Sequence, residues 1–351
     1  MNRRSLASIM VFSLLVALVA VAAFVPVPYV TESPGPTINV LGKSKDQPII
    51  SVTGHRTYPT KGELRLTTVS VTNPTHRIGL GEALAAWFDG ARAVYPRDVI
   101  YPPEQSARQV EKQSAVEMVS SQDNAVVAAL RRLGYHLPTT VKVVAVTKGS
   151  PAQGRLRSGD LITRVDGKAT TDAEAVTRAV QTAGAGTPVT LEVRRAGAVK
   201  TVRVTPRASP GDPSKALLGI QIQPSYDFPF DVKVRLADDI GGPSAGLIFS
   251  LGVYDTLTPG SLTGGAEIAG TGTIGADGRV GPIGGIQQKI VAAADAGAKI
   301  FLVPPANCGS ALHADVTKDD ILLVKAGTLK SAVTSLRAYA QDPSADLPSC
   351  R

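Results

Sequence analysis

The chain is poor in histidine, cysteine and tryptophan, with 4, 2 and 1 of them, and each shortage removes a class of chemistry. No H-E-x-x-H occurs, and His55, His76, His136 and His313 stand at no ligand spacing, so no metal site is expected. No G-x-x-x-x-G-K-[ST] occurs either, so nothing in the chain is built to cradle nucleotide phosphates, and no cofactor is expected. Only 5% of residues are aromatic. The net charge is +8, and residues 141–207 carry 12 Lys+Arg against 5 Asp+Glu, yet no aromatic interleaving or nucleic-acid module accompanies them. A solvated basic face is expected, not a nucleic-acid partner. The two cysteines, Cys308 and Cys350, both come late. A disulfide tying the tail to the body and two free thiols are both open on the sequence.

Long apolar runs are also scarce, with one exception at the start. Arg3 and Arg4 precede an uncharged, mostly apolar run from Leu6 to Val27, long enough for one bilayer crossing, which takes ~20 residues. Ala20-Val21-Ala22 offers a cleavage site for the competing signal-peptide reading. The run continues past that site, so an uncleaved anchor over residues 1–29 is expected. Basic residues stay on the cytoplasmic side, which puts the rest of the chain outside the cytoplasm, on the cell membrane.

The chemistry concentrates between Phe230 and Lys289. An apolar/charged alternation over 230–236 reads as a strand. Pro243 suits the first position of a helix, placing Ser244 in its opening turn among unpartnered N–H groups that favour an oxyanion. A serine needs a base. Ile286, Lys289, Ile290 and Ala293 share one helix face, so Lys289 lies on an apolar stripe. Burial would lower its pKa and make it a base; a lysine snorkelling to water is the alternative.

Gly242-Pro243-Ser244-Ala245-Gly246, Thr271-Gly272-Thr273-Ile274, Gly278-Arg279-Val280, Pro282-Ile283-Gly284-Gly285 and Lys289, in this order, resemble the proteolytic domain of Lon peptidases. The resemblance implies a Ser–Lys dyad of Ser244 and Lys289, with Thr271 holding the lysine. Backbone N–H groups around Ser244, with Gly241 and Gly242 allowing close backbone approach, are expected to form an oxyanion hole. The resemblance further implies an extended substrate, beside Val232–Leu236, and a hexameric homo-oligomer. Two departures are Gly241, where the family commonly has an acid, and Thr273, where it has a glutamate. Asp238 and Asp239 are expected to point away from Lys289, since a carboxylate there would hold it charged. The pentapeptide also fits a G-x-S-x-G elbow, but only His313 follows Ser244, too little for that triad.

A second resemblance lies in the basic middle. Ser150-Pro151-Ala152, Leu156 to Ile162 with Ser158-Gly159-Asp160, and Val165-Asp166-Gly167-Lys168 resemble PDZ domains of bacterial envelope proteases. That implies a module that captures peptides at a sheet edge. Its carboxylate loop is expected near Leu133-Gly134-Tyr135, and Asp212-Pro213-Ser214 reads as the linker out.

The expected fold is therefore α+β: a Lon-type proteolytic domain with an inserted PDZ domain and one N-terminal transmembrane helix. The expected parts are the anchor at 1–29, a strand/helix region packing with the catalytic domain at 30–120, the PDZ domain at 121–207, the proteolytic domain at 208–340 and a flexible tail at 341–351. Trp87 is expected in the core, and a helix is expected to start at a cap over Ser120–Asp123. The expected activity is ATP-independent cleavage of extracytoplasmic proteins or peptides. A catalytically silent PDZ scaffold of the envelope is the alternative, supported by Gly241 and Thr273.

Overall fold

The computed structural model describes residues 3–102, 107–170, 172–236, 240–317 and 320–350, so Asp238 and Asp239 lie outside the described residues. The chain divides into two compact units, residues 1–135 with 230–351, and residues 136–229. In chain order the first part of the larger unit holds helix α1 (Arg3–Ala23) and strands β1 (Tyr29–Asn39), β2 (Ile50–Thr53) and β3 (Glu63–Val71). Helix α2 (Leu80–Phe88), strand β4 (Ala93–Pro96) and helix α3 (Ala107–Arg132) follow.

The inserted unit contains β5 (Thr139–Val146), β6 (Leu161–Val165), helix α4 (Ala173–Ala183), β7 (Val189–Arg195) and β8 (Ala198–Val204). It continues with β9 (Arg207–Ser209), β10 (Asp212–Leu217) and β11 (Ile220–Tyr226). The larger unit then resumes with β12 (Asp231–Val234), α5 (Gly246–Leu257), β13 (Glu267–Gly270), α6 (Ile286–Asp295), β14 (Ile300–Val303), β15 (Leu322–Lys325) and α7 (Leu329–Gln341).

The larger unit is built on a sheet of order β15-β14-β13-β3-β1-β4. β13 runs parallel to both β3 and β14, while β1 pairs antiparallel with β3. The run Ile300–Val303 is wholly buried, as a continuous apolar strand covered on both faces should be. Helix α5 is apolar on all sides and buried almost throughout, which makes it the central helix of the unit. Helix α6 is buried along Ile286, Lys289, Ile290 and Ala293, the stripe read from its spacing.

Three expectations change here. Residues 107–132 form one continuous helix, with Ser120 and Ser121 inside it and no cap between them. Trp87 is 70% exposed, so it is no core residue. The tail is not loose: Cys308 and Cys350 form a disulfide, Lys325 N–H donates to Pro348 and Cys350 N–H donates to Leu323. Short apolar strands leave β15 an open edge, and the tail covers it.

The inserted unit has the sheet order β8-β7-β6-β5-β11, with Lys168–Ala169 paired to β6. Val141, Val143, Ile162, Leu191 and Val193 alternate inward to form its core under Val176 and Val180 of α4. Asp160, in the S-G-D turn, is buried and accepts two bonds from Arg195, at 2.6 and 2.7 Å. The boundaries differ from 121–207: residues 121–132 belong to α3 of the larger unit, and residues 208–229 stay in the insert. Asp212-Pro213-Ser214 is therefore strand β10, not a linker.

The chain leaves the larger unit after Tyr135 and re-enters at Phe230. Their rings meet edge to face at 5.5 Å, His55 stacks on Phe230, and the Tyr135 hydroxyl lies 2.8 Å from His55 Nε2. Among the described residues no helix is long and apolar enough to cross a membrane. The side chains of α1 from Ile9 to Val21, Val11, Phe12, Leu14 and Leu15 among them, are exposed on every side.

Candidate active site

Ser244 stands just ahead of α5, whose cap is Ala245, one residue before the helix and not inside its opening turn. Four bonds fix the loop that carries it. Gly272 N–H and the Thr271 hydroxyl both donate to the Ser244 carbonyl, at 2.8 and 3.1 Å. On the other side, α3 supplies Ser121, whose hydroxyl donates to the Pro243 carbonyl at 3.0 Å, and Ser114, whose carbonyl accepts Gly242 N–H at 3.0 Å. Ser114 and Ser121 are seven residues apart in the sequence, two helical turns, and so share one face of α3.

Lys289 Nζ donates to Ser244 Oγ at 3.1 Å. The lysine side chain is buried at 4% exposure, which makes its charge costly. Burial pulls its pKa down from 10.5 to about 8, and the Glu32 carboxylate opposes that pull. Glu32 comes from β1, and its Oε2 would lie 3.3 Å from a Cβ placed on Gly285, the left-handed residue that caps α6. Burial raises the Glu32 pKa and the lysine charge partly offsets it.

Several expected roles shift. Thr271 bonds the backbone of Ser244, so its hydroxyl fixes the serine loop and does not hold Lys289 directly. Gly242 N–H is spent on Ser114, which removes it from an oxyanion hole. Gly241 is glycine because a Cβ there would come within 2.9 Å of Ser114 Cβ, so the close approach it permits is to α3. Ser244 itself lines the cleft. Glu32, Ser114 and Ser121 were missed by sequence reasoning. Glu32 lies far away in the chain and opens the turn-like run Glu32-Ser33-Pro34-Gly35-Pro36, and the paired serines carry only the seven-residue spacing.

A cleft of about 390 Å³ opens beside Ser244 and Lys289. Its wall is β3 from Leu66 to Val71, with Pro36, Met118 and Ile240 around it. The ladder between β3 and β13 ends at Leu66 and Gly270, while β1 continues alongside β3 to Val71. Residues 67–71 therefore have a strand partner on one side and the cleft on the other. The expected strand Val232–Leu236 contributes nothing to this lining; β12 instead pairs with β2.

The inserted unit has its own groove of about 160 Å³ between α4 and the edge strand β11. Val176, Val180, Ile220 and Ile222 line it, with Leu218-Gly219 at one end. Gly219 has φ +74°, and Ser150 occupies the place of any Cβ there, so only glycine fits that turn. Leu133, Gly134 and Tyr135 belong to the larger unit and line no part of this groove, which corrects the expected carboxylate loop. The signal that would have found it is the alternation of Ile220 and Ile222 directly after Leu218-Gly219. Among the described residues no cluster of His, Cys, Asp and Glu could hold a metal ion.

Comparison with known proteins gives two family matches: residues 110–205 match the PDZ domain, and residues 236–327 match the Lon protease C-terminal proteolytic domain. The chain thus carries a PDZ domain and a Lon-type proteolytic domain. It is 42% identical over 66 residues to Lon protease of Campylobacter concisus, covering 19% of this chain and 8% of that protein. It is 34% identical over 107 residues to Lon protease of Haemophilus influenzae, covering 26% and 13%. The chain therefore spans only a small part of the curated relatives it matches. Among solved structures, the PDZ domain of an SdrC-like protein from Listeria innocua aligns at 23% identity over 24% of this chain and 92% of that one, with a TM-score of 0.22.

Proposed function

We propose that this chain is a serine endopeptidase that cleaves extended protein or peptide segments through Ser244 and Lys289. The observation that carries the reading is a buried lysine amine 3.1 Å from a serine hydroxyl at the head of a buried helix. With a pKa of about 8, a substantial fraction of Lys289 is neutral at mildly alkaline pH. Neutral Nζ takes the Oγ proton as Oγ attacks the scissile carbonyl. The carbonyl oxygen becomes an oxyanion, received by Ser244 N–H and the positive end of α5. The ammonium then protonates the departing amine, leaving an ester on Oγ. Water, losing its proton to Nζ, attacks the ester, and the proton returns to Oγ as the acid leaves.

The substrate main chain lies along residues 67–71 of β3, where the partner strand has ended. Thr271, Ser121 and Ser114 act as positioning residues for the Ser244 loop. The sequence holds no G-x-x-x-x-G-K-[ST], which supports a reading of ATP-independent cleavage. The PDZ groove takes a second extended segment or a C-terminus by adding it to the edge of β11. The apolar run Leu6–Val27 behind Arg3-Arg4 anchors the chain, with both units on the extracytoplasmic side.

The test is cleavage of an unstructured protein without ATP by wild type, Ser244→Ala and Lys289→Ala. Both variants should lose activity while keeping the wild-type circular dichroism spectrum. Cleavage that survives in Ser244→Ala would overturn the mechanism. Silence of the wild type, with and without C-terminal peptides, would favour a silent PDZ scaffold.

A further inference from the structure

Helix α2 turns its large side chains the wrong way for a globular domain. Ala83 and Ala86 are its buried residues, whereas Leu80, Leu84, Trp87 and Phe88 are 36%, 50%, 70% and 84% exposed. At 3.6 residues per turn those four positions cover an arc of about 100°, one continuous apolar stripe. Scattered exposed apolar residues need no explanation, but a stripe ending in Trp and Phe does.

Its position says what covers it. The start of α2 is tied to the end of α1: Val27 N–H donates to Ile78 and Leu80 N–H donates to Val25, at 3.0 and 2.9 Å. Gly79 is packed so closely that a Cβ would lie 2.6 Å from the Ala23 carbonyl oxygen. The stripe therefore continues directly from the exposed apolar surface of α1, through Phe24 at 84% exposure and Val25 at 49%. A tryptophan in such a place, apolar body outward and indole N–H at one edge, suits the headgroup layer of a bilayer.

We propose that α2 is a second membrane contact, lying in the interfacial layer of the bilayer with Leu80, Leu84, Trp87 and Phe88 inserted. This rests on the reading of α1 as a membrane anchor. Two contacts joined by hydrogen bonds hold the larger unit at a fixed height and tilt on the lipid, which one flexible tether would not.

Trp87 is the only tryptophan in the chain, so its fluorescence reports this site alone. The full chain is reconstituted in phosphatidylcholine/phosphatidylglycerol vesicles, with insertion followed by flotation. Trp87 emission should then be blue-shifted, and brominated phosphatidylcholine should remove most of it. In L84S/F88S, which replaces exposed side chains only, flotation should persist through α1 while emission moves to the red and quenching weakens. A floating protein whose Trp87 emits as in water overturns the inference and leaves the anchor standing. Blue-shifted emission insensitive to bromine also overturns it, since protein would then be the cover. Failure to float at all removes the anchor reading and this inference with it.

Discussion

Lys289 is under two opposed influences, burial that strips its proton and a glutamate that retains it. Removing the glutamate leaves burial alone. Glu32→Gln should therefore move the acidic limb of the kcat/KM profile, set near pH 8 in the wild type, to lower pH by about one unit, with little change in the alkaline plateau. An unmoved limb would show that Glu32 is not coupled to the base. The sign for stability is also fixed. The folded pKa of Lys289 lies below the unfolded one, so the unfolded chain binds more protons between about 8 and 10.5, and this residue makes stability rise with pH across that window. Ser244 and Lys289 were legible in the sequence because several linked motifs fix their spacing, and the apolar stripe of α6 already put the lysine inside. Glu32 was not, because a charge in β1 becomes part of the site only when β1 is laid against α6. Thr271 was placed at the site by its motif, yet its partner depended on which group its hydroxyl reached.

Among the elements, α3 is the one whose role was hidden. Its C-terminal part, Ala125 to Leu130, is apolar and buried, but the mostly polar turns before it resemble a solvated helix, and there Met118 and Ser121 are buried with Ser114 half-buried. Ser121→Ala should cost about 1 kcal/mol of stability through the lost bond to Pro243. The larger effect should be kinetic: a loosened Ser244 loop should lower kcat about tenfold with KM nearly unchanged, checked by steady-state cleavage beside thermal denaturation. A wild-type kcat would mean that the bonds made by Gly242, Thr271 and Gly272 hold the loop without Ser121. Strands were readable where apolar residues ran together, as in Ile300–Val303, or alternated, as in Val189–Val193. β10 was not, because Asp212-Pro213-Ser214 carries the chemistry of a turn while belonging to a paired strand. Trp87 was assigned inward on residue type, and an exposed tryptophan has the same residue type as a core one.

At the scale of the molecule, the insert leaves and returns through two residues whose rings touch. Closing Tyr135 to Phe230 with a short glycine-serine linker should preserve the fold of the larger unit, since the His55–Tyr135–Phe230 cluster lies wholly within it. The shortened chain should still cleave an unstructured protein, at a rate that C-terminal peptides leave unchanged. Loss of the circular dichroism signature on excision would show instead that the larger unit needs the insert to fold.

The early end of β13 has a consequence for what the molecule admits. A ladder that stops at Leu66 leaves a central strand of the sheet with one flank missing for five residues, 67 to 71, within reach of Ser244. Only a chain with its own backbone groups unengaged can fill that gap. A helix or a folded hairpin presents none, whatever its side chains. On the proposed function, selection at this trench is by conformation before it is by sequence: a stretch of polypeptide that has come undone would fit, and a folded one would not.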